Sequence, residues 1–152
     1  MKRIALLGLA CFALFGCGDE SSGKKVTEEM LVGDWECDFA QQIAKWKDGA
    51  FQDYGEIKRD KGSIKYFMKD NILYYNFGNP TSYPFNLASY YDQSEIIKPL
   101  DNHNIKQQKS ITHISPDKYK IVDVMEDIYT NNSDNAENIK TKTEIVCERI
   151  KE

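Results

Sequence analysis

Two histidines, His103 and His113, are the whole imidazole supply of this 152-residue chain. The sequence also lacks a Gly-x-Ser-x-Gly nucleophile elbow, a His-Glu-x-x-His pair, a P-loop and the glycine pattern of a dinucleotide fold. Those absences remove the commonest hydrolase, zinc-protease, nucleotide-hydrolase and dehydrogenase readings. The two histidines, taken with Asp101 or Asp117, do not follow a zinc-ligand spacing and read as surface residues. No two carboxylates stand out as an acid and base. No catalytic residue, metal or cofactor is therefore assigned, and no enzyme is expected. A net positive charge is lacking too: 20 Lys and Arg against 24 Asp and Glu leave a formal net charge of −4, which argues against nucleic acid as a partner. Long Ala/Leu-rich helical stretches and internal repeats are missing, whereas nine Tyr, seven Phe and many Ile, Val and Thr favour strands.

The N-terminus is distinctive. Lys2 and Arg3 precede an uncharged apolar run, residues 4–15, which is too short to cross a bilayer. Gly16 and Cys17 stand where this run gives way to the polar "GDESSGKK". The stretch resembles a bacterial lipoprotein signal, with Leu14-Phe15-Gly16-Cys17 in the place of the lipobox. The resemblance implies loss of residues 1–16 and acylation of Cys17. The membrane is then a partner through the N-terminal lipid, each buried methylene contributing about 0.8 kcal/mol. An ordinary secretory signal with an incidental Cys17 is the alternative. Gly18, not Asp, follows the cysteine, which in a Gram-negative cell implies the outer membrane, facing the periplasm. Residues 17–27 then read as lipidated cysteine and flexible tether, and 28–152 as a single domain.

With Cys11 lost and Cys17 acylated, Cys37 and Cys147 remain in a compartment that oxidises thiols, and a disulfide between them is expected. It would close a loop of about 110 residues, worth on the order of 4–5 kcal/mol by chain entropy.

Along the domain, Leu31, Gly33, Trp35, Cys37 and Phe39 share one parity, and Asp34, Glu36 and Asp38 the other. Such alternation is a half-buried strand. Residues 40–51 fit either a short helix or a continued strand, with a turn at Asp48-Gly49. Further strands are expected at 54–58, 63–68, 71–77, 94–98, 105–114, 118–124 and 140–150, with turns at "RDKG" and "KDN". Gln107 and Lys109 share the parity of Ile105 and Ile111. Asn131-Asn132-Ser133 fits a sequon but carries little weight here. This spacing suits a barrel or a sandwich.

If the first and last strands are antiparallel neighbours, Cys37 opposite Cys147 also puts Trp35 opposite Arg149 and Phe39 opposite Ile145. The same register puts Glu36 beside Glu148 on the outer face. Gly33-Asp34-Trp35 together with Arg149 resembles the Gly-x-Trp and last-strand Arg of lipocalin-like (calycin) barrels. The resemblance implies an all-β, antiparallel, up-and-down barrel of about eight strands that closes first strand on last, with Trp35 and Arg149 as the closing pair.

The segment "GNPTSYPFNLASYYDQ" is too irregular for a strand. Tyr83, Phe85, Tyr90 and Tyr91 either form a binding loop or fold back to plug one mouth, and Trp46 and Phe51 belong with them or are simply buried. The expected function is binding: of a small apolar or amphipathic ligand or an envelope component. The alternative is a periplasmic protein-binding module, such as an inhibitor or an immunity lipoprotein against a toxin or lysozyme-like enzyme. A purely structural envelope role has only the anchor in its favour.

Overall fold

The computed structural model describes residues 23–92, 96–99, 102–129 and 137–151. A short helix α1 (Glu28–Leu31) leads into β1 (Gly33–Lys47), β2 (Ala50–Phe51), β3 (Lys58–Lys69), β4 (Ile72–Asn76) and β5 (Tyr83–Pro84). A 3₁₀ turn at Leu87–Tyr90 precedes β6 (Ile96–Pro99), β7 (His103–Ser115), β8 (Lys118–Tyr129) and β9 (Ile139–Arg149). The strands follow the order β5-β4-β3-β1-β9-β8-β7-β6, with β2 paired to the end of β1. Every ladder is antiparallel. The chain is thus an all-β, up-and-down meander joined first strand on last, as expected. It curls into a half-barrel whose two free edges are β5 and β6. The segment after β5 crosses that gap: Phe85 N donates to Leu73 O at 2.7 Å, and the Tyr90 ring meets Lys109 of β7.

The β1–β9 ladder has the register read from the sequence: Trp35 opposite Arg149, Cys37 opposite Cys147 and Phe39 opposite Ile145. Cys37 and Cys147 are disulfide-bonded, with Cα atoms 4.1 Å apart. Trp35, Cys37 and Cys147 are buried, while Asp34, Glu36 and Asp38 are exposed, so alternation reports the faces. Glu36 does stand opposite Glu148. The repulsion is offset because Lys118 Nζ lies 2.5 Å from Glu148. Lys61, paired to Asp38 at 3.2 Å, is held charged first by that partner and further by Glu36 and Glu148. The outer face continues in the same manner. Lys120 and Lys142 both bond Glu144, at 2.7 and 2.6 Å, and hold its carboxyl down at about 2.

Turn chemistry accounts for the hairpins. Asp48 and Gly49, at φ 53° and 85°, and Asp70 and Asn71, at 52° and 60°, supply the positive φ of tight two-residue turns. Between Phe39 and Asp48 the chain takes the strand option, with β1 running on to Lys47. Three expectations are corrected. "RDKG" is not a turn but the body of β3, because Gly62 gives room to a ring: a Cβ there would lie 3.3 Å from Phe39 Cε2. Residues 52–57 form no strand, and β3 begins at Lys58. The tether also ends before Thr27. Val26 is buried, its N–H donating to Tyr91 Oη at 2.7 Å while that hydroxyl donates to Val26 O at 3.1 Å.

Packing is concentrated at one end of the concave face. Leu31, Trp35, Tyr66, Leu73 and Tyr119 are almost wholly buried there. Trp35 meets Tyr119 edge-on at 4.7 Å, and Tyr119 Oη donates to Tyr66 Oη at 3.1 Å.

Candidate functional site

The closing pair forms as expected. The Arg149 guanidinium lies 4.3 Å from the Trp35 ring centroid, and Trp35 Nε1 donates to Leu31 O at 2.6 Å. Arg149 also donates Nη1 to Val32 O at 3.0 Å and Nη2 to Met30 O, and its Nε pairs with Asp117 at 3.3 Å. Gly33 is required beside it. Its φ is +130°, and a Cβ there would lie 2.7 Å from Arg149 Nη1. These contacts fasten the end of α1 and the Asp117 turn to the β1–β9 seam, so the cluster serves to hold that seam together.

The tyrosine segment divides. Phe85 is buried against Tyr66 and stacks on Tyr90 at 5.0 Å. Tyr91 is spent on Val26, with Lys25 Nζ 5.1 Å over its ring. Tyr83 stays exposed beside Tyr75, ring centroids 5.8 Å apart. Phe85 and Tyr90 therefore fold back into the gap, Tyr91 holds the N-terminal segment, and Tyr83 stays outside. Trp46 and Phe51 do not join them: they meet edge-on at 4.9 Å on the β1–β2 hairpin, at the other end of β1 from Trp35. Asp117 is paired with Arg149 and Lys151. Among the described residues no three His, Cys, Asp or Glu groups converge as for a metal. Cys17, Asp101, the His103 side chain and the sequon lie outside the described residues.

Beyond the buried end, the concave face changes character. On successive inward positions β8 carries Tyr119, Ile121 and Asp123, and β9 carries Cys147, Ile145 and Thr143 opposite them. Across the other ladder, β7 places Ile111 opposite Ile121 and Lys109 opposite Asp123. Where apolar gives way to polar there is a pocket of ≈ 210 Å³, walled by Ile64, Tyr66, Tyr75 and Phe85 with Asp123 and Thr143 on its floor. Phe77 and Thr143 also line a wider, more open groove of ≈ 540 Å³ that runs over Phe39 and the charged stretch of β3.

Asp123 is the one carboxylate lining this pocket. Gln107 Nε2 donates to both of its oxygens, at 2.8 and 3.1 Å. Burial holds its carboxyl above the usual carboxylate range, against the opposing pull of the Gln107 hydrogen bond and the Lys109 charge. Lys109 turns its ammonium over the Tyr90 ring, 5.4 Å from the centroid. Burial likewise pushes the Tyr66 and Tyr90 hydroxyls upward, so both stay protonated donors. The arrangement can hold a small molecule against aromatic walls and offer it one partly desolvated carboxylate. Sequence reasoning noted Gln107 and Lys109 on an inward parity but did not single out Asp123. The signal was there, since Asp123 shares the parity of Ile121 and Met125.

The chain matches no family model and no curated protein. Among solved structures it is similar to the ywiB protein from Bacillus subtilis, at 10% identity and a TM-score of 0.35, over 78% of this chain and 93% of that one. That likeness is too loose to inform fold or function.

Proposed function

We propose that this protein is an envelope lipoprotein, anchored through an acylated Cys17, whose half-barrel binds a small amphipathic molecule without transforming it. The N-terminal lipobox pattern supports the anchor. The observation that carries the binding role is the aromatic pocket of ≈ 210 Å³ with a single carboxylate on its floor. Such a concave, mostly apolar site with few placed polar groups is the common form of a small-molecule site. Capture of another envelope protein is the second reading, supported by Phe77 and Tyr83, which lie nearly half exposed at the same rim.

Two measurements test this. Mass spectrometry of protein extracted from membranes should find Cys17 acylated, and Cys17→Ser should move the chain to the soluble fraction. Calorimetry on the full chain in phosphatidylcholine nanodiscs should show saturable binding of phenethyl alcohol. Thr143→Trp, which fills the pocket floor, should abolish it. Heats matching those of empty nanodiscs would remove the pocket from the account and leave the protein-binding reading.

A further inference from the structure

The geometry points to a primary organic ammonium as the ligand class, its head at the Asp123 carboxylate and its apolar body against Tyr66, Tyr75 and Phe85. This rests on the ligand-binding reading of the pocket given above.

The carboxylate comes first. An ionised Asp offers about four lone-pair sites. Among the described residues its hydrogen-bond donor is the single Gln107 Nε2, shared between both oxygens. Lys109, its cross-strand neighbour, is not within ion-pair distance, because its ammonium is drawn over Tyr90 instead. The site therefore holds a partly desolvated anion whose acceptor capacity faces the pocket. An anionic ligand there would meet a like charge in a low dielectric, and a neutral one would leave that acceptor capacity underused. A primary ammonium supplies the charge together with three N–H donors.

The walls make the same selection. Tyr66, Tyr75 and Phe85 form a continuous aromatic surface, with centroids 6.1 Å (Tyr66–Tyr75), 5.2 Å (Tyr66–Phe85) and 5.8 Å (Tyr75–Phe85) apart. Ring faces are negative and attract cations, most strongly where water is excluded. The protein's own Lys109–Tyr90 contact is an ammonium already resting on a ring at this rim. Burial disfavours the charged form of Asp123, and a bound cation would offset that penalty by its own charge. A volume of ≈ 210 Å³ suits one ring-sized body and excludes a long acyl chain from the pocket itself.

The test compares phenethylammonium with phenethyl alcohol by calorimetry on the full chain in phosphatidylcholine nanodiscs, with empty nanodiscs as reference. The amine should bind at least tenfold more tightly, the worth of one charged hydrogen bond. Asp123→Asn, which keeps an acceptor for Gln107, should erase that preference. Equal affinities in the wild type, or a preference that survives Asp123→Asn, would overturn the ammonium assignment while leaving the pocket a binding site. If neither compound binds, the pocket reading itself falls and takes this inference with it.

Discussion

Replacing Cys37 and Cys147 together by alanine removes the covalent link while leaving the β1–β9 ladder able to form. That ladder runs from Trp35–Arg149 to Lys45–Ile139, so the folded chain holds the two positions side by side without sulfur. The cost then falls on the unfolded ensemble, which regains the freedom of a long loop. For a sequence separation of 110 residues, chain entropy gives about 4.8 kcal/mol at 25 °C. That is comparable with the net stability of many domains, typically about 5–15 kcal/mol. Equilibrium urea unfolding of the oxidised wild type and the double variant, followed by tryptophan fluorescence, reads the difference. The midpoint should drop steeply, and the slope should rise because an uncrosslinked unfolded chain exposes more surface. Trp35 is a suitable reporter, being wholly buried beside the seam. Coincident curves with equal slopes would refute the reasoning, since they would mean that the link constrains nothing in the unfolded chain.

Further predictions follow from single contacts. Gly33→Ala places a Cβ 2.7 Å from Arg149 Nη1 at φ +130°; thermal unfolding should show a loss of about 1–3 kcal/mol or more. Tyr91→Phe deletes both hydrogen bonds to Val26 and should cost about 1–2 kcal/mol. It should also speed tryptic cleavage at Lys24 and Lys25. Because burial raises the Asp123 carboxyl above its unfolded value, the folded chain binds more protons across that window, and stability falls as pH rises through it. Asp123→Asn should therefore be more stable than wild type at neutral pH. The gap should close below the ordinary carboxylate range, as checked by melting curves across pH.

How much of this was legible in the sequence differs from residue to residue. The seam was readable because period-two alternation, two cysteines and a Trp–Arg pair all demand one register, and a strand offset by one residue would break them all. The opposed Glu36 and Glu148 are tolerated in that register because Lys118 and Lys61 offset them, and those lysines come from two other strands, which no local pattern reveals. "RDKG" has turn composition, but Gly62 is there to admit the Phe39 ring, a tertiary reason no local pattern carries. The rings of residues 83–91 fit a surface or a plug equally well by composition. The choice was made by partners far away in sequence, Tyr66 for Phe85 and Val26 for Tyr91. Asp123 shares the parity of Tyr119 and Ile121, but nothing local to its strand says that an acid there meets a pocket. Its meaning emerges only when β7, β8, β9 and the crossing segment enclose it together.

Where a small molecule lands on the half-barrel decides most directly whether the pocket is a binding site. Isoleucine methyl spectra of the full chain in nanodiscs, titrated with phenethylammonium, would show it residue by residue. Ile64, Ile121 and Ile145, which line the pocket, should shift in a saturable way, while the exposed Ile72, Ile114 and Ile150 stay still. Shifts confined to the exposed set, or spread evenly over both, would contradict it.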